Sequence, residues 1–369
     1  MKKHNLKTKA LISIFFGLLV APLFFSCDGI IFHEIRNEVE LAEAKLSGDI
    51  QSIIRYKYNN EECVFVATGE IYYRSVDESL VDKKITFSNF SNPDGFVYAI
   101  AANKDYLYAL SVKIEKDDDG YNVATNRTLW VYDTSEGTWN SIWTASYDKN
   151  ATVILFCTNT PQDATRDAYF KNGSDIYHLT DKTLPEKMDL TSGEDNSPVP
   201  ASSARSCTVL GTTTYFSSAY AMVSNQTGNK DSTYIYRSDG KSVCYSSDGN
   251  DWTSVSLGGD TIYSLAVCKD YLLAGTYSGI IHTKWSSRDS DDSNSLPAVP
   301  TSGNQDFETN AASTLSSYYE IPAVLVVDPT QNEKTATIFA SSITSSSSAS
   351  LNNVGLWSYF LSEGKWNRE

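Results

Sequence analysis

From Ile50 onward the apolar residues come in short runs, four to eight long, set between polar turns. "SIIRYKY", "CVFVATG", "EIYYRSV" and "KITFSNF" are the first four. Short runs that alternate apolar and polar positions, rich in Val, Ile, Tyr and Phe, predict strands. Gly, Asn, Asp and Ser separate many later runs and mark turns. The pattern reaches the C-terminus without a second long helical stretch. One helix is predicted upstream, over "HEIRNEVELAEAKL" (His33 to Leu46). Ile35, Val39, Ala42 and Leu46 recur there at three or four residues, with Leu41 off the stripe, and Gly48 supplies the stop.

Repeats turn this list of strands into an architecture. "LWVYDTSEGTWN" (Leu129 to Asn140) aligns without a gap on "LWSYFLSEGKWN" (Leu356 to Asn367). "VYAIAANKDYLYA" (Val97 to Ala109) aligns on "IYSLAVCKDYLLA" (Ile262 to Ala274). Two such pairs, both in strand-turn-strand contexts, imply a repeated supersecondary unit. Units open near Ile50, Phe96, Ala151, Ala204, Thr261 and Pro322, at intervals of about 46 to 61 residues. A four-stranded sheet of that size leaves both faces wet when alone. Stacked around an axis, such sheets cover one another, and only short edges remain. The expected fold is therefore an all-β, β-propeller domain of six blades, or seven if one long segment holds a further unit. A pair of β-sandwiches is the competing arrangement, but it needs a mid-chain linker and no clean one occurs. Ser/Asp/Asn-rich stretches such as "SSRDSDDSNSLPAVPTSGNQDFETNAAS" read as loops within blades.

The N-terminus follows a different logic. Met1 to Lys9 carries four lysines and no acid, and Ala10 to Phe25 is apolar apart from Ser13, Gly17 and Pro22. A basic segment followed by an apolar run of this length is the layout of an export signal. The run ends in "LFFSC", with Ser26 directly before Cys27. It resembles a relaxed lipobox of bacterial lipoproteins, with Leu23 one place early and bulky Phe24 and Phe25. That resemblance implies a diacylglycerol-modified Cys27 as the new N-terminus. Each buried acyl methylene contributes about 0.8 kcal/mol, so several chains hold a folded domain at a bilayer. The expected organisation is a signal peptide over 1–26, a lipid anchor with helical spacer over 27–47, and the propeller over 48–369. The expected location is the cell envelope, on the periplasmic side or the cell surface.

Charge narrows the partners. The chain carries −15, and loss of residues 1–26 takes four lysines and lowers this to −19. So acidic a domain repels phosphate backbones, which excludes nucleic acid as a natural partner. Cys63, Cys157, Cys207, Cys244 and Cys268 are far apart and form no C-x-x-C. They read as small buried hydrophobes, with no disulfide pairing indicated.

Candidate chemistry is sparse. "YSSDGNDWTSV" (Tyr245 to Val255) resembles, in shortened form, the Asp-box of sialidase-like propellers through Ser246, Asp248, Gly249 and Trp252. The resemblance implies a structural hairpin, remote from any catalytic centre. The "SEG" repeats are expected to play the same part. Sialidase chemistry would need an arginine cluster, whereas Arg55, Arg74, Arg127, Arg166, Arg205 and Arg237 are scattered. Glu115, Asp117 and Asp119, followed by Gly120, alternate as calcium ligands do. Asn126 stands where an EF-hand has its final Glu, and a solvated acidic turn is the plainer reading. His4, His33, His178 and His282 are isolated, and no P-loop or G-x-S-x-G occurs. Beyond that calcium candidate no cofactor is indicated. Tyr215, Tyr220, Tyr318 and Tyr319 are candidates for a propeller face, where aromatics anchor partners. The function expected is a non-catalytic binding or scaffolding module for a protein, peptide or glycan. A glycan hydrolase and a purely structural envelope component are the alternatives.

Overall fold

The computed structural model describes residues 46, 49–50, 52–76, 86–157, 167–188, 205–209, 212–216, 223–226, 233–246, 253–256, 261–268, 271–284, 319–327, 337–344, 354–360 and 365–369. Among them the chain is all-β. The predicted helix, the export signal and Cys27 lie outside the described residues, except that Leu46, at the helix's expected end, is buried.

The strands form seven sheets among the described residues, in which consecutive strands pair in chain order except at the opening of the last sheet. The first sheet holds β1 (Ser52–Tyr58), β2 (Glu61–Ala67), β3 (Ile71–Ser75) and β4 (Ser88–Asn89). The second holds β5 (Phe96–Ala102), β6 (Leu107–Lys116), β7 (Asn122–Asp133) and β8 (Thr138–Ser146). The third holds β9 (Val153–Cys157), β10 (Ala168–Asn172) and β11 (Asp175–Leu179). Then come a pair, β12 (Arg205–Val209) and β13 (Thr212–Phe216), and a four-stranded sheet of β14 (Val223–Gln226), β15 (Thr233–Asp239), β16 (Ser242–Ser246) and β17 (Thr253–Ser256). β18 (Ile262–Cys268), β19 (Tyr271–Thr276) and β20 (Gly279–Lys284) follow. The last sheet has β21 (Tyr319–Glu320) and β22 (Val324–Val327) both paired to β23 (Thr337–Thr344), then β24 (Gly355–Phe360) and β25 (Lys365–Arg368).

First strands of neighbouring sheets lie side by side: β1 beside β5, β5 beside β9, β18 beside β22, and β22 back beside β1. The last sheet thus meets the first, and residues 44–367 with Glu369 form one compact unit. Sequential meanders with adjacent inner strands and a last-to-first contact are a β-propeller. All six expected unit starts fall within two residues of β1, β5, β9, β12, β18 and β22. The span from Ala204 to Thr261 contains two sheets, β12–β13 and β14–β17, where one unit was expected.

Each apolar core lies between two sheets. Ile54, Phe65 and Ile71 of the first sheet meet Val97, Ile100 and Leu107 of the second. The other face of the second sheet, with Ala99, Leu110 and Val131, meets Val153, Leu155 and Phe170 of the third. Ile53, Val64 and Val66 pack on Leu325, Phe339 and Leu356, which joins start to end. A fully buried side chain of this size contributes about 1.5–3 kcal/mol, and only the neighbouring sheet supplies that burial. Inner strands are covered on both faces, so β5 ("FVYAIAA") is almost wholly buried rather than alternating. This departs from the alternating runs read from the sequence.

The repeats occupy equivalent places. Both "KDY" segments form the hairpin between first and second strands, β5–β6 and β18–β19. Each first strand also has a bulge at the same point, between Val97 and Ala99 and between Ile262 and Ser264. Both "SEG" segments join third and fourth strands, β7–β8 and β24–β25. The indole N–H of Trp130 donates to Ser111 Oγ (2.9 Å), and that of Trp357 donates to Ser342 Oγ (3.1 Å). Gly69 shows why one turn needs glycine: its φ is +95°, and a Cβ there would meet the Phe96 ring at 2.5 Å.

Candidate functional site

Strand direction sorts the turns into two ends. Gly69, in the turn between β2 and β3, exchanges backbone hydrogen bonds of 2.9 Å with Val97 at the start of β5. Ile321 N–H, just before β22, donates to Thr276 O at the β19–β20 turn (2.9 Å). Gly173 N–H, between β10 and β11, donates to Thr152 O just before β9 (2.8 Å). Turns between second and third strands therefore share the end at which first strands begin. Tyr121 (71% exposed) and Tyr277 (43%) are the exposed large hydrophobics among the described residues, and both sit on such turns. Glu70 is there too, accepting from Tyr72 Oη (3.0 Å) and Asn89 Nδ2 (3.3 Å). The bond to Glu70 raises the Tyr72 phenol above its ordinary pKa.

Tyr121 is carried on a finger. β5 pairs with β6 as far as Val112, whereas β6 and β7 run on together to Lys116 and Asn122. Ile114 and Ala124 anchor the base, packing with Trp143 and Tyr147 against the core between the second and third sheets. Arg127, almost wholly buried there, donates from Nη1 to Ala151 O (2.7 Å) and lies over the Tyr147 ring (4.7 Å). At the tip Asp117 Oδ1 accepts from the N–H groups of Asp119 (3.1 Å) and Tyr121 (2.8 Å), and Asp117 N–H donates to Tyr121 O (2.9 Å). Gly120 takes φ +83°. Tyr121 is thus held outward by a hydrogen-bonded turn rather than by burial. An exposed aromatic on a rigid mount loses little entropy on binding.

The calcium candidates lie on this finger. Glu115 pairs with Lys113 (2.8 Å), a bond that lowers the carboxyl pKa and raises the ammonium's. Asp117 serves the turn, and no group of three His, Cys, Asp or Glu side chains arranged to hold a metal ion occurs among the described residues.

The other candidates are dispersed. Ser246 ends β16 and Thr253 begins β17, with Tyr245 opposite Thr253, so the Asp-box-like segment joins a third-to-fourth hairpin. Asp248, Gly249 and Trp252 lie outside the described residues, as do Tyr220 and Tyr318. Tyr215 is in β13. Tyr319 is buried in the core between β18–β20 and the last sheet, not presented on a face. Arg55 pairs with Glu62 (3.1 Å) and Arg74 with Glu369 (3.0 Å), while Arg127 is held at the finger base, so these three guanidinium groups serve separate places. Cys63 and Cys244 are buried thiols outside any disulfide, and burial pushes Cys63 up to about 11. Sequence reading missed one pair: His178 Nε2 lies 3.1 Å from Asp167 Oδ1, its ring stacked on Tyr169 (4.9 Å). Only the register of β10 with β11 brings them together.

The first "SEG" hairpin has its own electrostatics. Asp133 accepts from Lys182 Nζ and from Ser135 N–H (2.9 Å) and Oγ, tying the second sheet to the segment after β11. The Lys182 bond first, and Ser135 next, hold the Asp133 carboxyl far below the usual carboxylate range. A depressed folded pKa contributes stability that is present above the unfolded value, about 3.8–3.9, and lost as pH falls through the folded one. Asp133→Asn is therefore expected to flatten the acid limb of a melting-temperature profile below about pH 4. An unchanged acid limb would mean that Asp133 is not ionically tied.

No protein-family model matches the chain, and no curated protein matches it. Among solved structures it is similar to the WD40 repeats of RRP9, at 9% identity and TM-score 0.40, covering 89% of this chain and 84% of that one. It is similar also to U3-55K, at 9% identity and TM-score 0.39, covering 86% and 79%. The architecture rests on the chain's own sheet order and packing.

Proposed function

We infer that the chain is an exported lipoprotein, held to a bacterial membrane through acylated Cys27, whose propeller binds a protein, peptide or glycan partner without chemistry on it. The observation that carries the binding role is the placing of Tyr121 and Tyr277 on turns of one end of the ring. Tyr121 is mostly and Tyr277 partly exposed on these turns, and tyrosines on rigid mounts make good anchors at interfaces. The acidity of the chain favours a partner with basic character.

Two experiments test this reading. Full-length protein in detergent is incubated with envelope extract and, separately, with a glycan array, beside Tyr121→Ser/Tyr277→Ser. One partner retained by the native chain and lost from the double variant at unchanged melting temperature is expected. Equal retention by both, or glycan turnover, would overturn it. For the anchor, Cys27→Ala is expected to leave unprocessed precursor and to abolish labelling by a fatty-acid analogue. Labelling of that variant at the native level contradicts acylation there.

A further inference from the structure

β8 is unlike the other outermost strands among the described residues. It runs nine residues, "TWNSIWTAS", with no charge and no proline. The others are shorter: β4 has two residues, β11 and β13 five each, β17 four, β20 six and β25 four, and β20 and β25 carry Lys284 and Lys365. Shortness and edge charge are how sheets discourage strands from adding to them. β8 lacks both, and its one irregularity is the register shift opposite Leu129 and Trp130. β7 covers one of its edges, and no strand among the described residues pairs with the other. Thr138, Asn140, Ser141, Thr144 and Ser146 are exposed.

The surroundings select the occupant. Ser146 pairs with Asn126, so the C-terminal end of β8 lies at the base of the acidic finger. Glu115 is matched by Lys113, but Asp118 and Asp119 have no ion-pair partner among the described residues. We propose that the free edge of β8 captures an extended segment of a partner protein as an added antiparallel strand, with basic residues about four to six positions before the paired stretch set against Asp118 and Asp119, because the finger runs on past the end of β8 by that length. Antiparallel pairing is the more stable form and places the N-terminal end of the paired stretch beside Ser146. Main-chain hydrogen bonds give the affinity, and the finger gives the direction. A second copy of this chain fits less well, since each copy carries −15 and the strand offers no charge to offset it. The proposal rests on the binding role inferred above and names its partner class.

The probe is a fluorescent peptide of two lysines, a Gly-Ser spacer of about four residues and a nine-residue stretch of alternating Thr and Val matched to β8, titrated against the full chain in detergent by anisotropy. Three comparisons decide. N-methylation of alternate amides on the edge facing β8 is expected to weaken binding at least 10-fold, and N-methylation of the opposite edge to leave it unchanged. Moving the lysines to the C-terminus is expected to weaken it about 5-fold. Asp118→Lys/Asp119→Lys, exposed on the finger tip, is expected to weaken the lysine-first peptide and to strengthen a glutamate-first one. Hydrogen exchange is expected to slow in Asn140 to Ser146 when the lysine-first peptide binds. Absence of binding, equal effects of methylation on both edges, or a dimer of the chain with β8 already protected overturns the proposal. If it fails while the Tyr121/Tyr277 variant still loses its envelope partner, the binding role stands and only the strand-capture inference falls.

Discussion

Trp357→Ala is expected to lower the free energy of unfolding by about 4 kcal/mol, the middle of the range for deleting a buried tryptophan. Trp357 is 0% exposed and packs with Ala266, Leu273, Ile321, Ile338 and Ala340 in the core between β18–β20 and the last sheet. Its removal leaves a cavity between two rigid sheets that have little room to collapse, and it takes the indole donor from Ser342. Trp130 holds the equivalent place in the second sheet and makes the same bond to a serine of the preceding strand, but it is only half-buried. Trp130→Ala is expected to have about half the effect, since the bond is shared and the burial is not. Chemical denaturation of both variants measures the difference. Equal losses would mean that the hydrogen bond, not packing, sets the energetics of the repeat.

Those two tryptophans also show what sequence alone could reveal. The gapless match of their segments implied equivalent strand-turn-strand places, and the structure shows which place that is, the strand before the third-to-fourth hairpin. Most of the unit starts were legible because β5, β9, β18 and β22 are dense in Val, Ile, Leu and Ala, which β12 ("RSCTV") is not. The wholly buried character of β5 was not, because its second apolar face is created by the third sheet. Tyr98 and Tyr263 at the paired bulges were equally hidden: a bulge is a property of register and has no residue signature here. The span holding β12 to β17 read as one unit because its strands are short and polar, so its internal break left no apolar boundary. Of the candidate site, the finger was visible only as "EKDDDGYN", an acidic turn. That Tyr121 is its exposed tip, and that Tyr277 shares its end of the ring, depends on strand direction. The open edge of β8 is a statement about what does not pair, which no run of residues can express. His178 with Asp167 came from cross-strand register.

The largest long-range effect is expected at the join of the ring. Glu369→Gln should destabilise by about 3 kcal/mol, because removing one charge of a buried pair strands the other. Glu369 and Arg74 are 295 positions apart and meet at 3.0 Å, with side-chain exposures of 8% and 3%. Burial lowers the pKa of the Arg74 guanidinium while Glu369 opposes that shift, so the carboxylate is what makes a charge tolerable there. The guanidinium also lies over the rings of Phe87 (5.0 Å) and Phe339 (5.2 Å), which fixes it between the first and last sheets. The other carboxylate oxygen accepts from Ser358 Oγ (2.6 Å), a bond that glutamine can keep. Arg74→Met alone should also destabilise, by leaving Glu369 buried and unpaired. The double variant Arg74→Met/Glu369→Gln removes both charges, keeps an acceptor for Ser358 and fills the same space between two phenylalanines. It is expected to recover to within about 1 kcal/mol of the native chain. Chemical denaturation of all four proteins closes the cycle. Additive losses, with no recovery in the double variant, would show that the first and last sheets are not joined through this pair, and ring closure would then rest on the apolar contacts of Ile53, Val64, Leu325 and Phe339 alone.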